Sequence, residues 1–256
     1  MNLILLTPDE ARQGGLPADD PRTRHVREVL RSAPGDRICV GEMGGRRGLA
    51  TLEAVGAEEM RWTIVWEEIG QTPLPLALLV GLPRPQTARK ILHDAASLGA
   101  ARLDFFQTEK GDPAYAQSTL WRSGEAEELL RKGTAQAFST LVPERKMHAS
   151  LADALAGKTP GWAQVFLDVY EAAEPLDAVV RGAKGAVLAI GPERGWSAKE
   201  RDALRAAGFV GAHLGDRVLR VETACVAAGA VALAEQVASV ALAALGAWTR
   251  HFRNHE

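Results

Sequence analysis

The chain has 256 residues, of which 46% are hydrophobic and 24% are charged, and its formal net charge is −2. This globular composition can supply a core for one or two domains, and it excludes a disordered or fibrous chain. Two cysteines, Cys39 and Cys225, are too few for a disulfide framework, and neither lies in a Cys/His pattern that would bind a metal. The first residues lack the pattern of a signal peptide, so we expect a cytoplasmic protein.

Residues 1–70 are predicted to form short strands separated by turns. Apolar runs at residues 37–40, 49–52 and 62–66 alternate with turns that contain glycine. A short helical turn is predicted before them, at residues 25–31. This spacing predicts a small antiparallel β-barrel.

The same region carries a local excess of positive charge. From Arg22 to Arg47 there are seven arginines and only three carboxylates. Contacts with phosphates depend on the charges at the binding surface and not on the charge of the whole chain. The segment is therefore a candidate RNA-binding surface, and an ordinary solvated surface is the alternative.

The sequence after residue 74 changes to strands that alternate with helices. Strands are predicted at 76–80, 103–106, 164–169, 186–190 and 209–214, and helices at 85–98, 125–138 and 197–208, with a last helix from about Glu222. Such alternation predicts an α/β domain, residues 74–256, with a mainly parallel sheet. Small residues of the last helix, among them Ala228 and Gly229, predict close packing in a two-fold interface.

The apolar stretch 224–247 is long enough to cross a membrane. Glu235 and Gln236 lie in its middle, however, and a central charge costs roughly 2.5–3.5 kcal/mol on insertion. We therefore expect a buried helix and no membrane span.

Two glycine-containing segments follow predicted strands: IGPERGW at 190–196 and LGDRVLRVETA at 214–224. Ligands of open α/β sheets bind at the carboxyl ends of strands, and glycine lets the backbone approach a ligand closely. Such loops suit an adenine and a methionine moiety better than a row of phosphates. From the residues alone, ordinary turns remain the alternative.

Residues 191–200 and 214–224 resemble the GPEGGFsxxE and LGxRiLRtETA motifs of the RsmE family in the SPOUT superfamily of methyltransferases. Residues 24–36 also resemble the RNA-binding, PUA-like domain of that family. The resemblance implies an α/β fold in which a trefoil-knotted SPOUT methyltransferase domain is preceded by a small PUA-like β-barrel. It also implies a homodimer that uses S-adenosyl-L-methionine to methylate a uridine of 16S (small-subunit) rRNA at N3. The sequence departs from the pattern at Ser139, Arg194, Trp196 and Val221.

The resemblance also implies roles for individual residues. The expected cofactor-binding residues are Leu167, Gly191, Gly195, Leu214, Gly215, Val218, Leu219 and Thr223. The expected RNA-binding residues are Arg22, Arg24, His25 and Arg31. No metal is expected to take part.

Two residues are candidates for the chemistry at uracil. Arg220 is expected to hold negative charge on the uracil or its phosphate, and it cannot act as a base because arginine stays protonated. Glu222 could accept a proton or orient Arg220, and the alternative is a carboxylate that stabilises a helix amino terminus.

Two other functions remain open from the sequence. The chain could be a non-catalytic RNA-binding or ribosome assembly factor with the same fold, for which the altered residue Arg194 is an argument. It could also be a SPOUT methyltransferase that acts on another RNA atom, such as a ribose 2′-hydroxyl.

Overall fold

The computed structural model describes residues 3–67, 72–157 and 159–236, and their strands form two separate sheets. The first sheet has five strands in the order β1-β3-β4-β5-β2. Its strands are β1 (Ile4–Leu6), β2 (Gly15–Pro17), β3 (Arg37–Glu42), β4 (Arg47–Val55) and β5 (Glu59–Trp66). β1 and β3 are parallel, and the other neighbouring pairs are antiparallel.

Two short helices lie between β1 and β3. Helix α1 is Pro8–Gln13 and helix α2 is Pro21–Arg24, and a π-helical turn, His25–Val29, follows α2 directly. Val26 of this turn is fully buried and packs in one core with Val40 and Met60 of the sheet. The helical segment predicted at 25–31 is therefore held to the sheet by Val26 and Leu30, whereas Val29 is 66% exposed.

The second sheet has seven strands, and all neighbouring strands are parallel. Its order is β10-β12-β9-β11-β6-β7-β8. The strands are β6 (Leu74–Gly81), β7 (Ala100–Phe106), β8 (Glu144–His148), β9 (Ala163–Leu167), β10 (Glu174–Pro175), β11 (Ala186–Ile190) and β12 (Val210–His213). The predicted α/β class with a parallel sheet is confirmed.

Helices cover both faces of this sheet. They are α3 (Pro85–Leu98), α4 (Glu125–Gln136), α5 (Leu151–Leu155), α6 (Leu176–Val180), α7 (Ala198–Ala206) and α8, residues 221–236. Buried residues of α3, α4, α6 and α8 share one core, whereas those of α5 and α7 share the core on the other face. Alternate side chains of the central strands enter the two cores, as a strand buried on both faces requires.

Small residues of α8 allow it to pack closely on its own chain. Ala228 is fully buried. A Cβ atom added at Gly229 would lie 2.4 Å from Cδ2 of Leu98 and 3.0 Å from Cδ2 of Leu76. Ala228 and Gly229 are therefore packed against the core of their own chain and are not available to a two-fold interface. The predicted interface of the last helix stays a prediction.

Within the three described ranges, no helix is long and apolar enough to span a membrane. The stretch 224–247 that raised this question is helical up to residue 236, and its remainder lies outside the described residues.

Candidate functional site

A cleft of about 460 Å³ opens at the carboxyl ends of three adjacent strands, β12, β9 and β11. Its walls come from the ends of these strands and the segments that follow them, at residues 167–170, 190–196, 212–215, 217–219 and 221. The volume lies within the usual range for small-molecule and cofactor sites. The position agrees with the rule that open α/β sheets bind ligands at this edge.

Most of the predicted cofactor-binding residues line this cleft. They are Leu167, Gly191, Gly195, Leu214, Gly215, Val218 and Leu219. Thr223 is exposed in the first turn of α8 and does not belong to the lining. The structure thus brings together residues from segments that are separated by up to some fifty positions in the chain.

Two glycines of the lining have backbone angles that favour glycine. The φ of Gly195 is +64° and that of Gly215 is +93°, and side chains other than hydrogen are strained in this region. A Cβ atom at either position would meet nothing within 4 Å. The requirement for glycine here comes from the backbone conformation, and the open space beside the backbone is available to a ligand.

Trp196 forms the floor between two walls of the cleft. Its indole Nε1 donates a hydrogen bond to the carbonyl oxygen of Leu167 at 2.9 Å, which ties the end of β9 to the segment after β11. The buried ring stacks on Phe106, with centroids 6.2 Å apart and an interplanar angle of 7°. A phenylalanine, as in the family pattern, would preserve the ring packing but could not donate this hydrogen bond.

A buried ion pair supports the wall that follows β9. Asp168, whose side chain is 2% exposed, pairs with Arg201 of α7 and accepts hydrogen bonds from the backbone N–H groups of Tyr170 (2.8 Å) and Glu171 (3.3 Å). Burial opposes ionisation, but the Arg201 guanidinium and these backbone donors hold the pKa of Asp168 below its ordinary value. Both side chains of the pair border the cleft. Sequence reasoning missed this pair, although an aspartate near the end of the apolar strand predicted at 164–169 was a possible signal.

The two predicted catalytic residues lie beside the cleft. Arg220 is exposed and sits between Leu219 and Val221, which line the cleft, but is not itself part of the lining. Glu222 lies in the first turn of α8, and its Oε1 pairs with Nζ of Lys90 at 3.1 Å.

The ionisation of Glu222 bears on its predicted role. Burial opposes ionisation, but the Glu222 backbone N–H, the Lys90 ammonium and the Arg220 guanidinium together lower the pKa of the Glu222 carboxyl. A lowered pKa makes a carboxylate a weaker proton acceptor at neutral pH. The ion pair with Lys90 and the lowered pKa together favour ion pairing over proton transfer for Glu222.

Further cations surround the mouth of the cleft. Arg194 and Arg217 are exposed and line it. The cleft's two carboxylates have partners, because Asp168 pairs with Arg201 and Oε1 of Glu193 accepts a hydrogen bond from the backbone N–H of Arg84 at 3.1 Å. The backbone N–H does not cancel the charge of Glu193, so Arg194 and Arg217 against Glu193 leave one positive charge in excess at the mouth.

Arg22, one of the predicted RNA-binding residues, donates all of its N–H groups within the first sheet region. Its guanidinium bonds Glu10 at 2.6 and 2.9 Å, Asp20 at 2.7 and 3.0 Å, and the carbonyl oxygen of Leu5 at 2.8 Å. An arginine side chain has five N–H groups, so none remains for a phosphate in this arrangement. This favours a structural role for Arg22, and its contact with RNA stays a prediction.

The other three predicted RNA-binding residues are placed differently. Arg24 and Arg31 are exposed, and His25 is half-buried. Arg24 and His25 adjoin the α2–π-helical junction, and Arg31 has a φ of +54° just beyond the turn. No group of side chains among residues 3–67, 72–157 and 159–236 could hold a metal ion.

Comparisons with known proteins agree with this architecture. The profile of the RNA methyltransferase domain family matches residues 70–233. The chain is 31% identical over 244 residues to ribosomal RNA small subunit methyltransferase E of Treponema pallidum (strain Nichols), and the alignment covers 91% of each protein. It is 25% identical over 231 residues to ribosomal RNA small subunit methyltransferase E 1 of Borreliella burgdorferi, covering 90% of this chain and 97% of the relative.

The chain belongs to the RsmE family of RNA methyltransferases. The resemblance of its two glycine-containing segments to RsmE motifs is thereby confirmed, together with the enzyme class. The RsmE fold also appears in a crystal structure of a ribosomal RNA small subunit methyltransferase E from Neisseria gonorrhoeae bound to S-adenosyl methionine. That match has a TM-score of 0.72 and 22% identity, and it covers 89% of this chain and 95% of the other. A probable rRNA-methyltransferase from Porphyromonas gingivalis matches with a TM-score of 0.76 and 19% identity, covering 92% and 99%.

Proposed function

We propose that this protein methylates N3 of a uridine in 16S (small-subunit) rRNA, with S-adenosyl-L-methionine as methyl donor. The observation that carries the proposal is the cleft at the ends of β9, β11 and β12, in a chain of the RsmE family. The relatives named above are small-subunit rRNA methyltransferases, which supports the choice of rRNA.

The residues of the cleft fit S-adenosyl-L-methionine. Gly195 and Gly215 leave open space beside the backbone, and a volume of about 460 Å³ suits a ligand of this size. Leu167, Gly191, Leu214, Val218 and Leu219 would surround it with backbone groups and apolar side chains. When bound, this cofactor supplies an electrophilic methyl group on a sulfonium centre.

Residues beside the cleft would position the uracil that accepts the methyl group and stabilise its charge. Methylation at N3 requires loss of the N3 proton, so negative charge develops on the uracil ring. Arg220, exposed beside the cleft, would stabilise that charge or hold the adjacent phosphate. Glu222, paired with Lys90, would restrain the α3–α8 junction and orient Arg220. The proton would pass to solvent, because the lowered pKa of Glu222 makes it a poor acceptor.

Other parts of the chain would bind RNA and associate with a second copy of the chain. Residues 1–70 would form a PUA-like RNA-binding domain, in which exposed Arg24 and Arg31 contact phosphates. Residues 74–256 would form the SPOUT methyltransferase domain with its trefoil knot, and two copies would associate in the cytoplasm as a homodimer. The parallel sheet with its central cleft supports the second assignment, and the exposed arginines support the first.

The test is methylation of unmethylated small ribosomal subunits, with mass mapping of the modified nucleotide. We expect one methyl group on N3 of a uridine. Methylation of a ribose 2′-hydroxyl would replace this proposal by another RNA methyltransferase activity. No methyl transfer, with S-adenosylmethionine unbound in calorimetry, would favour a non-catalytic RNA-binding factor.

Two variants separate cofactor binding from acceptor chemistry. Gly195→Val should abolish S-adenosylmethionine binding, because the backbone at 195 has a positive φ and the side chain would enter the cleft. Gly182→Val is its control, since Gly182 has a φ of +74° and lies outside the lining. Arg220→Ala should keep cofactor affinity while turnover falls roughly 10²–10³-fold. Near-normal turnover in Arg220→Ala would remove this residue from the mechanism.

A further inference from the structure

Three apolar side chains stand exposed around the mouth of the cleft. Tyr170 is 76% exposed, Val218 72% and Leu219 37%, and all three border the same cleft. They come from two loops that follow the adjacent strands β9 and β12. A single exposed apolar residue needs no explanation, but a cluster around a ligand cleft indicates a surface that a ligand covers.

The backbone that carries Tyr170 is fixed, although its ring is exposed. The carboxylate of Asp168 accepts a hydrogen bond from the Tyr170 N–H at 2.8 Å. The next residue, Glu171, is held by ion pairs with Arg201 at 3.3 Å and Arg205 at 2.8 Å. An aromatic ring on a restrained turn loses little conformational freedom when it contacts a ligand.

The position of the ring selects the part of the ligand that it contacts. This step rests on the proposed function. In S-adenosylmethionine the amino-acid end is zwitterionic and the sulfonium methyl must face the RNA, so only the adenine offers flat apolar faces. The target uracil is the other flat group, but Arg220, its proposed partner, lies outside the lining to which Tyr170 belongs.

We propose that Tyr170 stacks on the adenine of the cofactor and closes the outer side of its binding site, with Val218 as the apolar contact from the loop that follows β12. Tyr170 is then a specificity-determining residue for adenosine-containing ligands. The phenol hydroxyl is not required, because the contact uses the face of the ring. Phenylalanine should therefore replace tyrosine, whereas alanine should not.

Calorimetry on the full-length protein tests this proposal with S-adenosylmethionine and with 5′-methylthioadenosine, which lacks the amino-acid end. Tyr170→Ala should weaken both ligands by roughly 5- to 150-fold, the usual range for loss of one base–aromatic stack. Tyr170→Phe should stay within about twofold of the wild type. Val65→Ala is the matched control, because Val65 is 71% exposed in β5, outside the cleft lining.

The possible outcomes separate this inference from the proposed function. If the wild type binds both ligands and Tyr170→Ala binds them equally well, the stacking role is overturned and the methyltransferase proposal stands. If Tyr170→Ala keeps the cofactor affinity of the wild type but has a raised KM for ribosomal subunits, the ring contacts RNA, and the inference is also overturned. If the wild type binds neither ligand, the proposed function itself fails. Parallel weakening of both ligands in Tyr170→Ala, with the KM for subunits unchanged, supports the stack.

Discussion

Replacement of Arg22 by alanine should act mainly on folding. We expect it to destabilise the amino-terminal sheet, with little effect on the binding of RNA phosphates. The guanidinium joins three elements, because Glu10 lies in α1, Asp20 caps α2 and Leu5 belongs to β1. Removal of Arg22 would leave two half-buried carboxylates without their cation. It would also leave the Leu5 carbonyl without this donor.

The size of the effect follows from the burial of the three side chains. They are 29% exposed for Arg22, 23% for Glu10 and 17% for Asp20. Removing one partner of a fully buried ion pair costs 3–5 kcal/mol, whereas an exposed pair contributes about 0–1 kcal/mol. For this intermediate burial we expect Arg22→Ala to lower the free energy of unfolding by about 2–4 kcal/mol.

The effect should also depend on pH. The hydrogen bonds from Arg22 are the largest cause that lowers the pKa values of Glu10 and Asp20. A carboxyl with a lowered pKa in the folded protein contributes stability above its unfolded pKa, roughly 3.9–4.3, and loses it as the pH falls through the folded value. The difference between wild type and Arg22→Ala should therefore be full at pH 7 and shrink below about pH 4.

Urea unfolding at several pH values, followed by tryptophan fluorescence, measures this difference. Arg24→Ala is the control, because Arg24 is exposed in the same helix and should change stability by less than about 0.5 kcal/mol. If the two variants unfold alike while Arg22→Ala flattens the salt dependence of RNA binding, Arg22 is a phosphate contact and the structural reasoning is wrong.

Three further outcomes are expected. Glu222→Gln should reduce single-turnover methylation by less than tenfold, because the lowered pKa disfavours proton transfer; a loss of 10² or more would make it the base. Gly229→Leu should lower stability in urea by about 1–3 kcal/mol through overlap with Leu98, and an unchanged midpoint would contradict this packing. Trp196→Phe should weaken S-adenosylmethionine binding without unfolding the protein, because the Leu167 carbonyl loses its donor; calorimetry showing wild-type affinity would refute this.

Elements with strong local signals could be predicted from the sequence. The helix Pro85–Leu98 has the predicted bounds, because proline begins it and Gly99, with a φ of +91°, ends it. The central strand Ala186–Ile190 is a continuous apolar run bounded by glycine on both sides. The edge strand Glu144–His148, in contrast, was not predicted. Its sequence ERKMH has no apolar alternation, and it is a strand only because it pairs with β7.

The parts of the site formed by backbone loops at strand ends could be predicted from the sequence. The parts that depend on pairing between side chains distant in the chain could not. Gly195 and Gly215 could be placed in the cleft because their segments resemble RsmE motifs. Glycines after apolar strands left ordinary turns open as the alternative. The Asp168–Arg201 pair could not, since 33 residues separate its members and only the packing of α7 on the sheet brings them together. The charge count that selected Arg22 records an arginine but not the carboxylates of Glu10 and Asp20 that bind it.

Charge is distributed unevenly around the cleft: its interior is paired, and its rim carries exposed charges. Toward the interior, Asp168 is paired with Arg201, so the side that we propose binds the cofactor presents backbone groups and apolar side chains. Toward solvent, Arg194, Arg217 and Arg220 are exposed on the loops that follow β11 and β12. Glu193 and Asp216 are exposed on the same loops, so one positive charge remains in excess. Exposed charges attract a polyanion over distances near a Debye length, about 8–10 Å, whereas a buried pair is nearly neutral from outside. Arg194, which stands where the family pattern has glycine, therefore adds charge on the solvent side, which we propose faces RNA, and the Asp168–Arg201 pair is separate from it.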